Sequence, residues 1–180
     1  NTSDYVSWGY WTATEIDGNT TLMAGTHSWV AGKDAAAAAA FINSISTSTD
    51  YLYTGKALGN VMDNGISYNL DTSDATNSVQ LKFNFGGGTN AIYNDSSYSW
   101  IKFTANNKLW ELAPTLATPI VTTGKFSDTL TGTIATSTSV TGVINGQFFG
   151  NEAQAVGGTC KASSAATTVK ALGVFKAVRP

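Results

Sequence analysis

Residues 140–150 read VTGVINGQFFG and run directly into residues 151–159, NEAQAVGGT, and the chain closes with GVFKA at 173–177. Val140, Ile144 and Phe148 lie an even number of residues apart, so they share one side of an extended chain. Phe149 points to the opposite side. The pattern therefore predicts a strand whose Val140–Ile144–Phe148 side faces the interior of a barrel.

The residues after this strand predict a tight return into the same sheet. Gly150 and the Gly157-Gly158 pair are expected to give the chain backbone conformations that are closed to other residues. The segment 151–156 is long enough for one helical turn, with Asn151 as its cap. A second strand would then run back beside the first.

Most of the remaining chain has the two-residue period of β-strands. The sequence predicts strands at 5–14, 28–32, 51–62, 79–85, 98–105, 108–113, 126–135, 139–149 and 167–178. Strands that follow each other so closely are typical of an antiparallel sandwich or barrel, and around eight can close a barrel. The predicted fold class is all-β: an eight-stranded antiparallel β-barrel with one short Ala-rich helix.

The helix is predicted from residues 34–45. Asp34 suits the N-cap position, and Ala35–Ala40 are the best helix formers. Phe41, Ile42 and Ile45 are expected to pin this helix to the body of the protein, where it would close one end of the barrel.

Composition and charge exclude several classes of protein. Charged residues make up 12 % of the 180 residues, against roughly 25 % in ordinary soluble domains, and 26 Thr and 17 Ser take much of their place. The ten basic residues are scattered, which argues against a nucleic-acid partner. No apolar run approaches the roughly 20 residues of a membrane-spanning helix.

Few residues are present that could carry catalysis. His27 is the only histidine and Cys160 the only cysteine, so an internal disulfide or a zinc ribbon is excluded. No Gly-x-Ser-x-Gly elbow accompanies His27. Asp71 and Asp74 are better read as a solvated turn than as a calcium loop. The sequence predicts a protein that is not an enzyme, holds no metal, and keeps Cys160 as a buried thiol.

The closing block resembles the last strands of the β-barrel in the transferrin-binding protein B family. The similarity lies in a strand ending Gly-Gln-Phe-Phe-Gly at 146–150, then Val-Gly-Gly at 156–158, and the final Gly-Val-Phe-Lys-Ala at 173–177. Residues 5–11, 27–32 and 53–59 resemble earlier parts of such barrels more loosely, with 5–11 as the first strand. Gly9-Tyr10-Trp11 and Arg179 also resemble elements of lipocalins. A resemblance to lipocalins does not account for the closing block, however.

This resemblance implies a non-enzymatic, ligand-binding module of a Gram-negative bacterium. It would be extracellular or lie on the outer-membrane surface, whether secreted or anchored, and related proteins serve iron or haem acquisition. Residues 1–180 are expected to form a single, monomeric barrel domain. The resemblance also allows this domain to be the C-terminal part of a longer exported protein. The partner would be a protein or a small molecule.

Three functions remain open at this point. A module that binds a protein or other large ligand predicts an exposed apolar or aromatic patch. A passive structural or spacer domain predicts a filled barrel with neither patch nor pocket. A carrier of haem or another small apolar ligand, haemophore-like or lipocalin-like, predicts an aromatic pocket of about 300 Å³ or more near His27.

Four residues are the candidates for ligand binding: His27, Trp29, Tyr93 and Tyr98. No cofactor is predicted apart from haem, whose iron His27 could ligate, and Trp29 lies two residues away in the sequence. Tyr93 and Tyr98 are the alternative haem or ligand contacts.

Overall fold

A computed structural model of the chain describes residues 5–17, 20–88, 90–115, 120–165 and 168–180. Side chains are described throughout this set except at residues 11–26. In the described residues there are one helix and twelve strands. They are β1 (Val6–Asp17), β2 (Thr20–Gly32), α1 (Ala35–Ser44), β3 (Thr49–Asp63), β4 (Ile66–Asn69), β5 (Ser78–Phe85), β6 (Ala91–Ile92), β7 (Trp100–Ala105), β8 (Lys108–Pro114), β9 (Lys125–Ile134), β10 (Thr138–Phe149), β11 (Ala155–Ser163) and β12 (Lys170–Val178).

Eight antiparallel strands close into a barrel. The order runs β3-β12-β11-β10-β9-β8-β7-β5, and β5 pairs again with β3. The long strand β3 closes the ring by pairing with β5 through residues 49–55 and with β12 through residues 54–62. The short strands β4 and β6 extend this sheet at β3 and β5. The predicted fold class is confirmed.

The interior of the barrel is filled with large side chains. Val140, Ile144 and Phe148 all point into it, as predicted, and are almost completely buried. Four aromatic rings pack directly on Phe148, namely those of Tyr53, Phe83, Phe85 and Phe126. Phe103, Trp110 and Phe175 belong to the same core. At Gly146 a Cβ would lie 2.3 Å from the Phe126 ring, so this glycine makes room for an aromatic side chain in the core.

The helix α1 covers one end of the barrel, as predicted. Ala38 and Ile42 are buried in the barrel core, and Phe41 and Ile45 pack against it. The guanidinium of Arg179 lies 5.0 Å from the ring centroid of Tyr51 and 5.8 Å from that of Phe41, so it joins the helix to β3.

The expected cap of this helix is not formed. Asp34 has a left-handed backbone, with φ 58°, and its side chain makes no capping hydrogen bond. Aspartate tolerates this conformation better than most residues because its short polar side chain can interact locally. Asp34 therefore serves as the turn between β2 and α1.

The N-terminal segment is not a strand of the barrel, contrary to the prediction. β1 pairs only with β2, and the two form a separate antiparallel hairpin. Val6 packs with Phe149 and Ala155 in a second hydrophobic cluster, outside the barrel wall. The Lys33 N–H donates to the Tyr5 carbonyl and the Gly150 N–H donates to the Lys33 carbonyl, which ties the hairpin to the β10–β11 turn.

The closing block folds as a strand, a turn and a returning strand, but two details differ from the prediction. Residues 151–156 contain no helical turn: the Ala153 N–H donates to the Gly150 carbonyl, and β11 begins at Ala155. Gly150 has the expected positive φ of 87°, whereas Gly157 and Gly158 do not have positive φ.

Steric crowding, and not a positive φ, requires glycine at 157 and 158. A Cβ on Gly157 would lie 2.8 Å from Val30 and 2.9 Å from Val6, and a Cβ on Gly158 would lie 1.9 Å from the Asn145 carbonyl oxygen. Gly157 is thus the place where the β1–β2 hairpin rests on the barrel.

Candidate functional site

The two faces of the β1–β2 hairpin have different surroundings. Val6, Trp8 and Tyr10 alternate with Ser7 and Gly9 along β1, so the first three share one face. Val6 is buried against the barrel, and the Lys176 ammonium lies 5.9 Å from the ring centroid of Trp8. The face that carries Val6 and Trp8 is therefore the barrel-facing side of the hairpin.

His27 and Trp29 lie on the opposite, solvent-facing side. In the strand register Trp29 is opposite Gly9 and His27 is opposite Trp11. Both side chains are exposed, whereas their neighbours Ser28 and Val30 are half-buried. A Cβ on Gly9 would lie 3.1 Å from the Trp29 ring, which shows that the indole rests flat against this glycine. Trp29 stays 41 % exposed. We call His27, Trp29 and Gly9 the hairpin outer face.

Tyr93 and Tyr98 lie together on the outside of the barrel, next to β5. Their ring centroids are 5.7 Å apart, and the Lys82 ammonium lies 4.6 Å from the centroid of Tyr93 and 4.4 Å from that of Tyr98. The structure thus brings these two predicted residues into contact with each other, while His27 and Trp29 lie on a different element.

Polar contacts within this tyrosine–lysine cluster are extensive. Lys82 forms an ion pair of 2.9 Å with Asp50, and the Tyr93 hydroxyl and the Asn84 amide both donate to the same carboxylate. The hydrogen bond from Asn84, followed by that from Lys82, lowers the pKa of Asp50. The Asp50 carboxylate in turn raises the pKa of Lys82 and of Tyr93. The cluster holds the β6–β7 segment against β5 and β3 by its own interactions.

A cleft that the sequence did not predict lies between the hairpin and the barrel. It is lined by Tyr10, Ser28, Leu58–Asn60 and Asn69–Thr72, and its volume is about 230 Å³. We call it the hairpin–barrel cleft. Asn60 and Asn69 face each other across β3 and β4, which join through the turn at Asn64-Gly65.

One signal in the sequence could have located part of this cleft. A two-residue turn at Asn64-Gly65 pairs residue 63 with 66 and hence 60 with 69, which places two amides side by side. The contribution of Tyr10 could not be found in this way, because it depends on the position of the hairpin outside the barrel.

The side chains that point into the described part of the barrel interior pack into one buried core, and the cavity beside Cys160 and Phe103 has a volume of about 10 Å³. This volume is too small for an organic ligand. Cys160 is buried, as predicted, and burial raises the pKa of its thiol to about 12. Binding of a small ligand inside the barrel would require smaller interior side chains than those present. His27 lies on the hairpin, outside the barrel.

Neither a metal centre nor a membrane-spanning helix is found in the described residues. Groups of three or more His, Cys, Asp or Glu side chains that could hold a metal ion do not occur there. The described residues contain no helix that is long and apolar enough to cross a membrane.

The fold and surface define a class of protein: a filled, eight-stranded antiparallel barrel with an aromatic hairpin packed on its outer wall. Solved structures of transferrin-binding protein B are similar to it. The isotype 1 protein of serogroup B Neisseria meningitidis matches with a TM-score of 0.55 and 16 % identity, covering 98 % of this chain and 31 % of that one. A mutant of the vaccine antigen from Haemophilus parasuis matches with a TM-score of 0.55 and 13 % identity, covering 97 % and 32 %.

A third structure, intact Ap-TbpB with its N and C lobes, has a TM-score of 0.51 and 12 % identity, covering 98 % of this chain and 34 % of that one. The chain spans about a third of each neighbour. At these identities the likeness shows the fold, and it confirms the resemblance expected from the closing block. Neither a protein-family model nor a curated protein matches the sequence.

Proposed function

We propose that this chain is a non-enzymatic binding module at the surface of a Gram-negative bacterium, and that it holds a protein partner on the hairpin outer face. The observation that carries this proposal is Trp29, a large aromatic side chain that is 41 % exposed although it sits on an ordered strand. Tryptophan is among the residues that dominate the energy of protein interfaces.

The architecture supports an external site. Since aromatic side chains fill the barrel, a large ligand has to be held on the outside. Val6 packs with Phe149 and Ala155 and so holds the barrel-facing side of the hairpin on the barrel. This packing also holds Trp29 and His27, on the opposite side, in position. A rigid aromatic platform loses little conformational entropy when a partner binds.

The location and the nature of the partner rest on the fold neighbours. Their names describe transferrin-binding proteins, which supports an extracellular or outer-membrane location and makes transferrin the first protein to test. We further propose that residues 1–180 act as one monomeric domain. The packing of the hairpin onto the barrel supports this domain assignment.

The experiment is a binding measurement on the immobilised chain, by surface plasmon resonance, with transferrin first and then with whole serum. We expect saturable binding of a protein partner and a loss of at least about tenfold in affinity for Trp29→Ala, because central tryptophans contribute about 2 kcal/mol or more.

Leu172→Ala is the matched control. Leu172 is a 61 % exposed apolar residue of β12, so its replacement also removes exposed apolar surface, but away from the hairpin outer face. It should leave binding unchanged. Equal binding by the wild-type chain and Trp29→Ala would contradict the proposed site. A complete lack of protein binding would favour the alternative, a structural or spacer domain, for which the filled barrel is also suited.

A further inference from the structure

We propose that the hairpin–barrel cleft is a carbohydrate-binding site that takes one neutral sugar ring. The cleft is separate from the hairpin outer face, because Tyr10 and Ser28 belong to the barrel-facing side of the hairpin. Its volume of about 230 Å³ is below the range of about 300–1,000 Å³ that is typical of sites for drug-sized ligands. The ligand that fits is therefore a small one.

The barrel wall of the cleft is held rigidly in place. Asn77 is buried and its side chain bonds to both backbone groups of Ala57, accepting from the N–H at 2.9 Å and donating to the carbonyl at 2.8 Å. The Asn77 amide also donates to the Asp71 carbonyl, and the Leu70 N–H donates to the Gly59 carbonyl. These bonds fix residues 70–72 against β3 before any ligand arrives, which lowers the entropic cost of binding.

The side chains that line the cleft combine apolar and polar surface in the way that a sugar ring requires. The phenol ring of Tyr10, 64 % exposed, and the half-buried Leu58 provide apolar surface for the C–H groups of a pyranose. The Asn60 amide donates one N–H to the Ser67 hydroxyl and has a second N–H and a carbonyl oxygen, and the Asn69 amide can also donate and accept, so both can pair with sugar hydroxyls. Among the described residues the Asn69 side chain has no hydrogen-bond partner, and it is exposed at the rim.

The charge of the cleft favours a neutral ligand over an anion. Among the residues whose side chains the structure describes, Asp71 is the one charged residue in the lining, and hydrogen bonds from the Ser73 hydroxyl and N–H lower the pKa of its carboxyl. A carboxylate beside amides and hydroxyls accepts hydrogen bonds from sugar hydroxyls, whereas it repels phosphate or sulfate. The nearby Lys56 donates to the Asp74 carbonyl, outside the cleft.

The test is saturation-transfer NMR on the full chain with the methyl glycosides of glucose, galactose, mannose and N-acetylglucosamine. We expect saturable transfer from at least one glycoside, and a loss of at least about tenfold in affinity for both Tyr10→Ala and Asn69→Ala, because each removes a group facing the ligand. Both residues are exposed, so the variants should fold; their melting curves confirm this.

Trp29→Ala is the matched control, since it removes an aromatic residue from the other side of the same hairpin. It should leave glycoside binding intact, even where it abolishes binding of a protein partner, so the two proposals can fail independently. A folded wild-type chain that binds none of the glycosides would overturn the carbohydrate site. Binding that survives both Tyr10→Ala and Asn69→Ala would overturn it as well.

The source of the sugar is a second arm of the same experiment. The chain is titrated with the active glycoside, and with a glycoprotein that displays the same sugar before and after enzymatic deglycosylation. If the intact glycoprotein competes with the glycoside and the deglycosylated form does not, the ligand is a protein-linked glycan. Binding of the free glycoside without capture of the glycoprotein would identify a free sugar.

Discussion

At the scale of single residues, the fold shields the Cys160 thiol from solvent and from thiol reagents. Cys160 is 6 % exposed, and burial raises its pKa to about 12. Because the thiolate is the reactive form, the native protein should not react with Ellman's reagent at pH 8 over an hour. Full reaction is expected once guanidinium unfolds the chain. Rapid stoichiometric labelling of the native protein would show that this part of the barrel opens.

Asp63 is one of the residues that give the fold a dependence on pH. Its side chain is 3 % exposed and accepts from the Lys108 ammonium at 2.7 Å and from the Asn106 amide at 3.0 Å, so it links the end of β3 to the β7–β8 turn. These two bonds, that from Lys108 first, lower the pKa of the Asp63 carboxyl.

A lowered pKa in the folded state means that Asp63 stabilises the fold above its usual pKa of 3.8, and that this contribution disappears as the pH falls through the folded value. We therefore expect Asp63→Asn to lower the urea midpoint at pH 7, and the two midpoints to converge as the pH drops below about 4. Urea titrations at pH 7, 5 and 3 measure this. A difference that stays constant with pH would contradict the role given to Asp63.

At the scale of secondary-structure elements, the β1–β2 hairpin is an attachment to a barrel that closes without it. The hairpin cluster of Val6, Phe149 and Ala155 is distinct from the barrel core. Gly157→Leu would place a large side chain under Val6 and Val30. We expect it to displace the hairpin and leave the barrel closed, because a Cβ at this position would lie closer than 3.0 Å to Val6 and Val30 of the hairpin but at an ordinary contact distance of 3.4 Å from the Phe175 carbonyl oxygen of the barrel.

Hydrogen exchange measures this displacement. Gly157→Leu should remove protection from residues 5–10 and 28–32 while β10 keeps its protection. Thr159→Leu is the control, since Thr159 is two residues along the same strand and exposed. Loss of protection throughout the barrel in Gly157→Leu would show that hairpin and barrel fold as one unit.

Elements whose burial follows a simple period could be predicted from the sequence. In β5, Val79, Leu81, Phe83 and Phe85 alternate with half-buried residues, as expected. Asn106-Asn107, between the strands predicted at 98–105 and 108–113, forms a hairpin turn with positive φ at both residues. The position of β1 could not be predicted in this way. Alternation shows that Val6 and Trp8 share a face, but it does not show which sheet the strand joins.

The candidate site was predictable only in part, for a similar reason. Trp29 lies in the strand predicted at 28–32 and His27 directly before it. That β2 begins at Thr20, and that both side chains are exposed, follows from the hairpin outside the barrel. Tyr93 and Tyr98 both contact Lys82 of β5, which forms an ion pair with Asp50 of β3. Such contacts join residues that are far apart in the chain, and no local pattern records them.

At the scale of the whole molecule, the protein is a filled barrel, and both proposed binding surfaces lie on its outside. Eight strands enclose a core of aromatic side chains, α1 covers one end, and the hairpin presents Trp29 to solvent. This arrangement suits a module that holds a large partner on its surface. It does not suit a carrier that encloses a small apolar ligand such as haem.

A hemin titration of the purified chain, followed by absorbance, tests this central claim most directly. A filled interior and an exposed His27 predict no saturable shift of the Soret band, and the same spectra for the wild-type chain and His27→Ala. A shifted Soret band that saturates at one equivalent of hemin would contradict the account, and its loss in His27→Ala would place the haem on the hairpin.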